Sequence, residues 1–163
     1  MRSENFRIRI SDVEDKDSIG SIYNKAISEG EGYSDRDEEL LKFPDDEPIE
    51  RLYKSNVTFV AELNDEVVGW CSLYVEKNLV DGLFVHPDYQ SKGIGSELLR
   101  TVEEEARARG ISKIWVSSDT HVVEYYSSKG YAIVEKTEME AINTDETIPC
   151  VIMIKDLDTE VTA

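Results

Sequence analysis

Positive charge is scarce in this chain. Its 163 residues carry 18 lysines and arginines against 35 aspartates and glutamates, a formal net charge of −17. No basic stripe exists to displace counterions, which excludes nonspecific binding of DNA or RNA. Long apolar runs are missing as well: none approaches the roughly 18 residues of a membrane-spanning helix. The opening Met1-Arg2-Ser3-Glu4-Asn5 does not read as a signal peptide. Cysteine is nearly absent, with Cys71 and Cys150 far apart and without metal-site spacing. They read as two buried free thiols in a reducing compartment, and the expected location is the cytoplasm. No metal site, internal repeat, low-complexity tract or linker is visible. With 40% hydrophobic and 33% charged residues, the chain reads as a soluble globular domain spanning 1–163. Its ends, about 1–4 and 158–163, are expected to be flexible.

Hydrophobic periodicity orders what is there. Phe6-Arg7-Ile8-Arg9-Ile10 alternates as a strand, and Ser11 with Glu14 suggests a capping box. The helix after it places Ile19, Ile22, Tyr23, Ala26 and Ile27 on one face and ends at Gly30 and Gly32. A short helix from Ser34 or Asp35 takes in Leu40, Leu41 and Phe43, and an acidic loop punctuated by Pro44 and Pro48 follows. Val57–Leu63 and Val67–Val75 form a hairpin around Asn64-Asp65-Glu66. A further strand is predicted over Leu79–Val85. After a glycine turn comes a helix with Ile94, Leu98, Val102 and Ala106 in line and Gly110 as its stop. A strand at Ile114–Val116, a helix near Val122–Ser128, and strands at Tyr131–Val134 and Cys150–Ile154 complete the series. The fold class is α+β: about seven strands in a mixed, mostly antiparallel sheet with about four helices.

The glycine turn Gln90-Ser91-Lys92-Gly93-Ile94-Gly95 carries the strongest chemical signal. Strand, glycine turn and helix in that order build a pocket of N–H groups for a phosphate or pyrophosphate. No Gly-Lys-Ser/Thr occurs, so it is not a P-loop. The third glycine of a dinucleotide fingerprint would be Leu98, and the flanking βαβ repeat is missing. What remains is Q-x-x-G-x-G, in which the amides of Lys92, Gly93, Ile94, Gly95 and Ser96 are open donors at a positive helix end. On its own, such a turn can equally well just start a helix. A polyanion gains nothing from the overall charge, so its binding must be local; a Debye length of about 8 Å allows that. The acidic surface attracts a cationic substrate or serves only solubility.

Leu83-Phe84-Val85-His86-Pro87-Asp88-Tyr89 running into Gln90–Leu99 resembles the acetyl-CoA motif of the GCN5-related N-acetyltransferase (GNAT) superfamily. Tyr125-Tyr126-Ser127-Ser128-Lys129-Gly130-Tyr131 is similar to that family's aromatic segment, and Met153–Leu157 to its closing strand. The resemblance implies acetyl-CoA as acetyl donor, held in a V-shaped opening between the Leu79–Val85 and Lys113–Val116 strands. Its pyrophosphate would rest on Gln90, Ser91, Lys92, Gly93, Ile94, Gly95 and Ser96, and its pantetheine along Leu83, Phe84 and Val85. Transfer to a primary amine would be direct, with a backbone N–H of Leu83 or Phe84 steadying the carbonyl oxygen. Tyr126 would protonate the departing thiolate. A phenol of pKa about 10 donating to a thiolate near 8.5 is uphill by about 2 kcal/mol, so its effect depends on close positioning. Tyr125 reads as the core member of the pair.

The proton acceptor is less legible. An amine of pKa about 10.4 is under about 0.1% neutral at pH 7, whereas an α-amine near 7.8 is over about 10% neutral. Asp81 is the carboxylate best placed by sequence to act as base, directly or through water. Glu29, Glu31 and Tyr33 are candidates to line the amine pocket, with surface solvation as the alternative for each acid. His121 falls near a strand end. The family's frequent Asn, seven residues before the tyrosine, is Asp119 here, which puts its cofactor-positioning role in doubt. The resulting expectation is an N-acetyltransferase acting on a small-molecule amine, with a homodimer left open and neither nucleic acid nor membrane as partner. Acetylation of a protein N-terminus or lysine, and a non-catalytic acyl-CoA-binding module, are the competing readings.

Overall fold

The computed structural model describes residues 5–142 and 144–158. The ends expected to be flexible lie outside the described residues, except for Asp158. Strand β1 (Arg7–Ile10) leads through a single 3-10 turn into helix α1 (Lys16–Glu29). Asp12, not Ser11, caps that turn. It accepts from the Glu14 N–H at 2.8 Å, and Asp15 in return accepts from the Asp12 N–H at 2.9 Å. A carboxylate suits this position better than a hydroxyl because it also meets the positive end of the helix. Arg9 then binds both oxygens of Asp15 at 2.8 and 2.9 Å, tying strand to helix.

Helix α1 buries Ile19, Ile22, Tyr23, Ala26 and Ile27, as its periodicity predicts, and stops at Gly30. Ser34 caps α2 (Asp35–Leu41) in a reciprocal box with Asp37. Phe43 is buried but lies beyond that helix, since the residue before a proline is driven out of helical conformation. The acidic loop holds a 3-10 turn at Pro44–Asp46 and leads into an α-helical turn, α3 (Arg51–Lys54), that the sequence pattern does not announce. Strands β2 (Val57–Leu63) and β3 (Glu66–Tyr74) meet through Asn64-Asp65, both left-handed as a two-residue hairpin requires. Then come β4 (Leu79–Val85), α4 (Ile94–Ala108), β5 (Lys113–Asp119), α5 (Val123–Ser128), β6 (Ala132–Glu140) and β7 (Thr147–Asp156). The last two strands extend well past their apolar cores. β6 is an edge strand whose residues are nearly all exposed, so burial imposes no pattern on it.

The sheet runs β1-β2-β3-β4-β5-β7-β6, and only the β4–β5 pair is parallel. Helix α4 covers one face over Leu73, Val80, Ile114, Val116 and Met153. Helices α1 to α3 cover the other, over Val60 and Trp70. β4 and β5 pair only at Leu79↔Trp115 and Val80↔Val116 and then part. A bulge drives them apart: between Cys71↔Leu83 and Leu73↔Val80 the register slips, and Gly82 sits there at φ 124°.

A Cβ on Gly82 would lie 2.6 Å from the ring of buried Trp70, whose Nε1–H is anchored on the Ile19 carbonyl at 3.1 Å. Gly82→Ala therefore combines overpacking with a disfavoured backbone, for a loss of about 3 kcal/mol. Circular dichroism melts should record this as a fall in Tm of roughly 6–12 °C.

Candidate active site

The parting of β4 and β5 opens a cleft of about 500 Å³. Antiparallel pairing decides which β4 groups face it. The His86 N–H donates to the Val68 carbonyl at 2.8 Å, which sets the phase of the β3–β4 ladder. Phe84 then spends its backbone groups on Trp70, while Leu83 and Val85 aim theirs at the unpaired edge. Of the two N–H groups expected to steady a carbonyl, only that of Leu83 faces the open edge. The Phe84 ring packs on Tyr23 and Trp70.

The far end of the cleft is the glycine turn. Ser91 and Gly93 are both left-handed, at φ 65° and 82°, so the chain curls around Lys92 into a concave nest. Gly93 caps α4 with no side-chain bond, leaving the Ile94, Gly95 and Ser96 amides as open donors at the positive end of the helix. A Cβ on Gly95 would stand 3.5 Å from Tyr125 Oη and 3.7 Å from Val85, within the cleft. This turn fits a pyrophosphate, and the open β4 edge fits an amide-bearing chain. Leu83, Phe84, Val85, Gln90, Ser91, Gly93, Ile94, Gly95 and Ser96 line the cleft together; Lys92 does not.

Tyr126 lines the cleft from α5 and is 6% exposed. Its hydroxyl has no hydrogen-bond partner among the described residues. No fully buried side-chain oxygen there lacks a partner, so this one opens onto the cleft. Burial pushes its phenol well above 10, which keeps it protonated. The roles expected of the two tyrosines within the core are reversed: Tyr126 is the core member, and half-buried Tyr125 faces Ser96 Oγ at 3.5 Å.

Asp81 does not reach the cleft. The bulge makes Val80 and Leu83, three residues apart, share the α4 face, which turns Asp81 to the other side. There Arg51 takes both its oxygens, at 2.6 and 3.1 Å, and Asn56 adds a bond of 2.8 Å. Strict alternation would have put Asp81 beside Leu83. Its geometry is that of a clamp on the bulge and not of a base. Glu29 also stays outside, exposed and paired with Lys25 at 3.6 Å. Glu31 and Tyr33 do line the cleft, along with His121 and Asp119. Tyr33 donates to Asp119 Oδ2 at 2.5 Å across 86 residues of sequence, and the His121 ring stands edge-on to Tyr33 at 4.4 Å. Burial raises the Asp119 carboxyl, while the Tyr33 bond and nearby His121 pull it down. Asp119 lines the cleft although the sequence singles it out only by its departure from the family's frequent Asn. Among the described residues no group of three or more His, Cys, Asp or Glu is arranged to hold a metal, and no helix is long and apolar enough to cross a membrane.

Comparison with known proteins agrees with this geometry. An uncharacterized N-acetyltransferase of Methanocaldococcus jannaschii is 31% identical over 85 residues, 45% of this chain. The chain spans well under half the length of the curated relatives it matches, 38% and 29%. The crystal structure of a GCN5-related N-acetyltransferase from Rhodopseudomonas palustris superposes with a TM-score of 0.83 at 23% identity, covering 96% of this chain and 98% of that one. PaiA N-acetyltransferase of Thermoplasma acidophilum, in complex with coenzyme A, gives 0.68 at 18% identity over 93% and 99%. A model of the acetyltransferase (GNAT) family matches residues 19–131, which include most of α1, the bulged β4, the glycine turn and Tyr126. The chain belongs to the acetyltransferase (GNAT) family.

Proposed function

We propose that this chain transfers acetyl from acetyl-CoA to a primary amine on a small, cationic molecule in the cytoplasm. The observation that carries the reading is the polarity of the cleft. One end offers backbone amides at an uncapped helix; the other offers the carboxylates Glu31 and Asp119, with no lysine or arginine among the described lining residues. An anionic donor and a cationic acceptor suit those two ends, and the reacting atoms would meet between them.

Leu83 supplies an N–H aimed at the open edge, suited to a carbonyl oxygen that gains negative charge as the amine adds. Tyr126 holds a proton for the departing sulfur. Cys71 is unsuited to carry the acetyl group itself, since it is fully buried and burial pushes its thiol up, away from the reactive thiolate. The proposed transfer is direct, from thioester to amine.

Thiol release from acetyl-CoA, followed across amino acids, polyamines, aminoglycosides and short peptides, tests the reading. Release above background with a small amine is the expected result. Release with peptides alone would replace it with protein acetylation. Binding of acetyl-CoA without release on any amine would point to a regulatory module.

A further inference from the structure

Asp119 ends β5 where the strand runs free of β4 and borders the acceptor end of the cleft. Its Oδ2 accepts the Tyr33 hydroxyl at 2.5 Å. Oδ1 has no hydrogen-bond partner among the described residues, and since no fully buried oxygen there is orphaned, it retains access to solvent. The groups facing this carboxyl are Tyr23 on α1, Tyr33 on the α1–α2 loop, Asp37 on α2, His121 after β5, Tyr126 on α5 and the thiol of Cys150, its cross-strand neighbour on β7. None of these is a lysine or arginine. A half-satisfied carboxylate in a partly dry cleft is a strong acceptor for an ammonium N–H.

We infer that Asp119 binds the ammonium of the acceptor and takes its proton, with Tyr33 as the positioning residue that holds the carboxylate toward the cleft. The inference rests on the acetyl-transfer reading and names the residue that makes it work for a charged amine. One ammonium proton passes to Asp119 and on to water, giving the neutral amine. Its nitrogen then forms the C–N bond while the C–S bond breaks. A second nitrogen proton leaves by Asp119, and Tyr126 gives its proton to sulfur and regains one from solvent. The net products are amide, thiol and one H⁺. The asparagine more usual in the family cannot accept a proton at this position. Burial raises the Asp119 carboxyl above the ordinary range, toward an α-amine near 7.8, which narrows the uphill step.

The sign of the pH dependence follows. Asp119 acts only when ionised, so kcat/KM rises with pH through its raised pKa. Because the Tyr33 bond favours the ionised form, Tyr33→Phe moves that rising limb to higher pH; a merely structural Tyr33 would scale the whole profile and leave the limb in place. Asp119→Asn should lower kcat/KM by about 10²-fold, with the Kd for acetyl-CoA within about threefold of the parent.

A readout independent of turnover uses the ¹³C resonance of the Asp119 carboxyl, assigned by its loss in D119N, with propylammonium as probe and 1-propanol as neutral control. Propylammonium should shift the resonance and lower its titration midpoint, and propanol should not. No shift with propylammonium, or D119N turnover at the parent rate, overturns the Asp119 assignment while leaving acetyl transfer standing. A propylammonium shift in a protein that releases no thiol on any amine supports the ammonium site and sinks the transfer reading instead.

Discussion

Glu103→Ala is expected to melt roughly 10 °C or more below the parent protein. Glu103 lies on the inner face of α4 and Lys155 on β7, 5% and 6% exposed, with Nζ and Oε1 2.9 Å apart. The Tyr131 hydroxyl donates to the other oxygen at 2.8 Å, and the lysine stands 5.6 Å from the Tyr131 ring. Forming such a pair from hydrated ions adds little net stability, because desolvation offsets most of the attraction. Removing one partner is different: Lys155 loses the carboxylate 2.9 Å away and Tyr131 loses its acceptor, for about 4 kcal/mol. In a domain of this size each kcal/mol lowers Tm by about 2–4 °C. Replacing both ions with apolar residues, as in E103L/K155M, should recover the part of the loss that comes from the unbalanced charge, while the Tyr131 hydroxyl still lacks its acceptor. Thermal melts of the two variants check both statements; a double variant no better than E103A would show that the pair contributes more than it costs. The pair also holds α4 on the sheet, and the N-terminus of that helix is the proposed anion site.

Tyr126→Phe is expected to lower kcat by about 10²-fold while leaving acetyl-CoA affinity and Tm close to the parent's. The hydroxyl has no hydrogen bond to lose among the described residues, so the phenylalanine ring fills the same space without an orphaned partner. In water a phenol is a poor donor to a thiolate. In the cleft the thiolate is also poorly solvated, and a hydrogen bond held in place becomes worth more. Because burial raises the phenol well above 10, Tyr126 stays protonated throughout the physiological range. The kcat profile should therefore show no descending limb from Tyr126 below about pH 10. Steady-state thiol release against pH, with calorimetric titration of acetyl-CoA, measures both parts. A Y126F enzyme as fast as the parent would remove Tyr126 from the chemistry.

What was legible in the sequence was whatever burial writes as a period. The apolar faces of α1 and α4, the β2–β3 hairpin and the full span of β4 could be read because one side of each faces a core. The glycine turn was legible because only certain residues tolerate its backbone. Exposed β6 and single-turn α3 carry no such period. The bulge misled more deeply. One extra residue at Gly82 re-phases β4, so Asp81 faces Arg51 instead of the cleft, and alternation alone does not reveal such a slip. The acceptor end was the least legible part. Tyr33 and Asp119 meet across 86 residues through the packing of α1 and α2 against the sheet, and no local pattern records that meeting.

On the proposed reading, the N-terminus of α4 holds acetyl-CoA through its backbone amides. Isothermal titration of acetyl-CoA into the parent and into Gly95→Ala tests it most directly. The added methyl meets only ordinary contacts at 3.5 and 3.7 Å and leaves the fold intact, yet it occupies the space an anion needs to approach the amides. Saturable binding by the parent, and a Kd at least about tenfold weaker in G95A with an unchanged Tm, is the predicted result, equivalent to about 1.4 kcal/mol. Equal affinity in the two proteins, or no binding of acetyl-CoA by the parent, would contradict it.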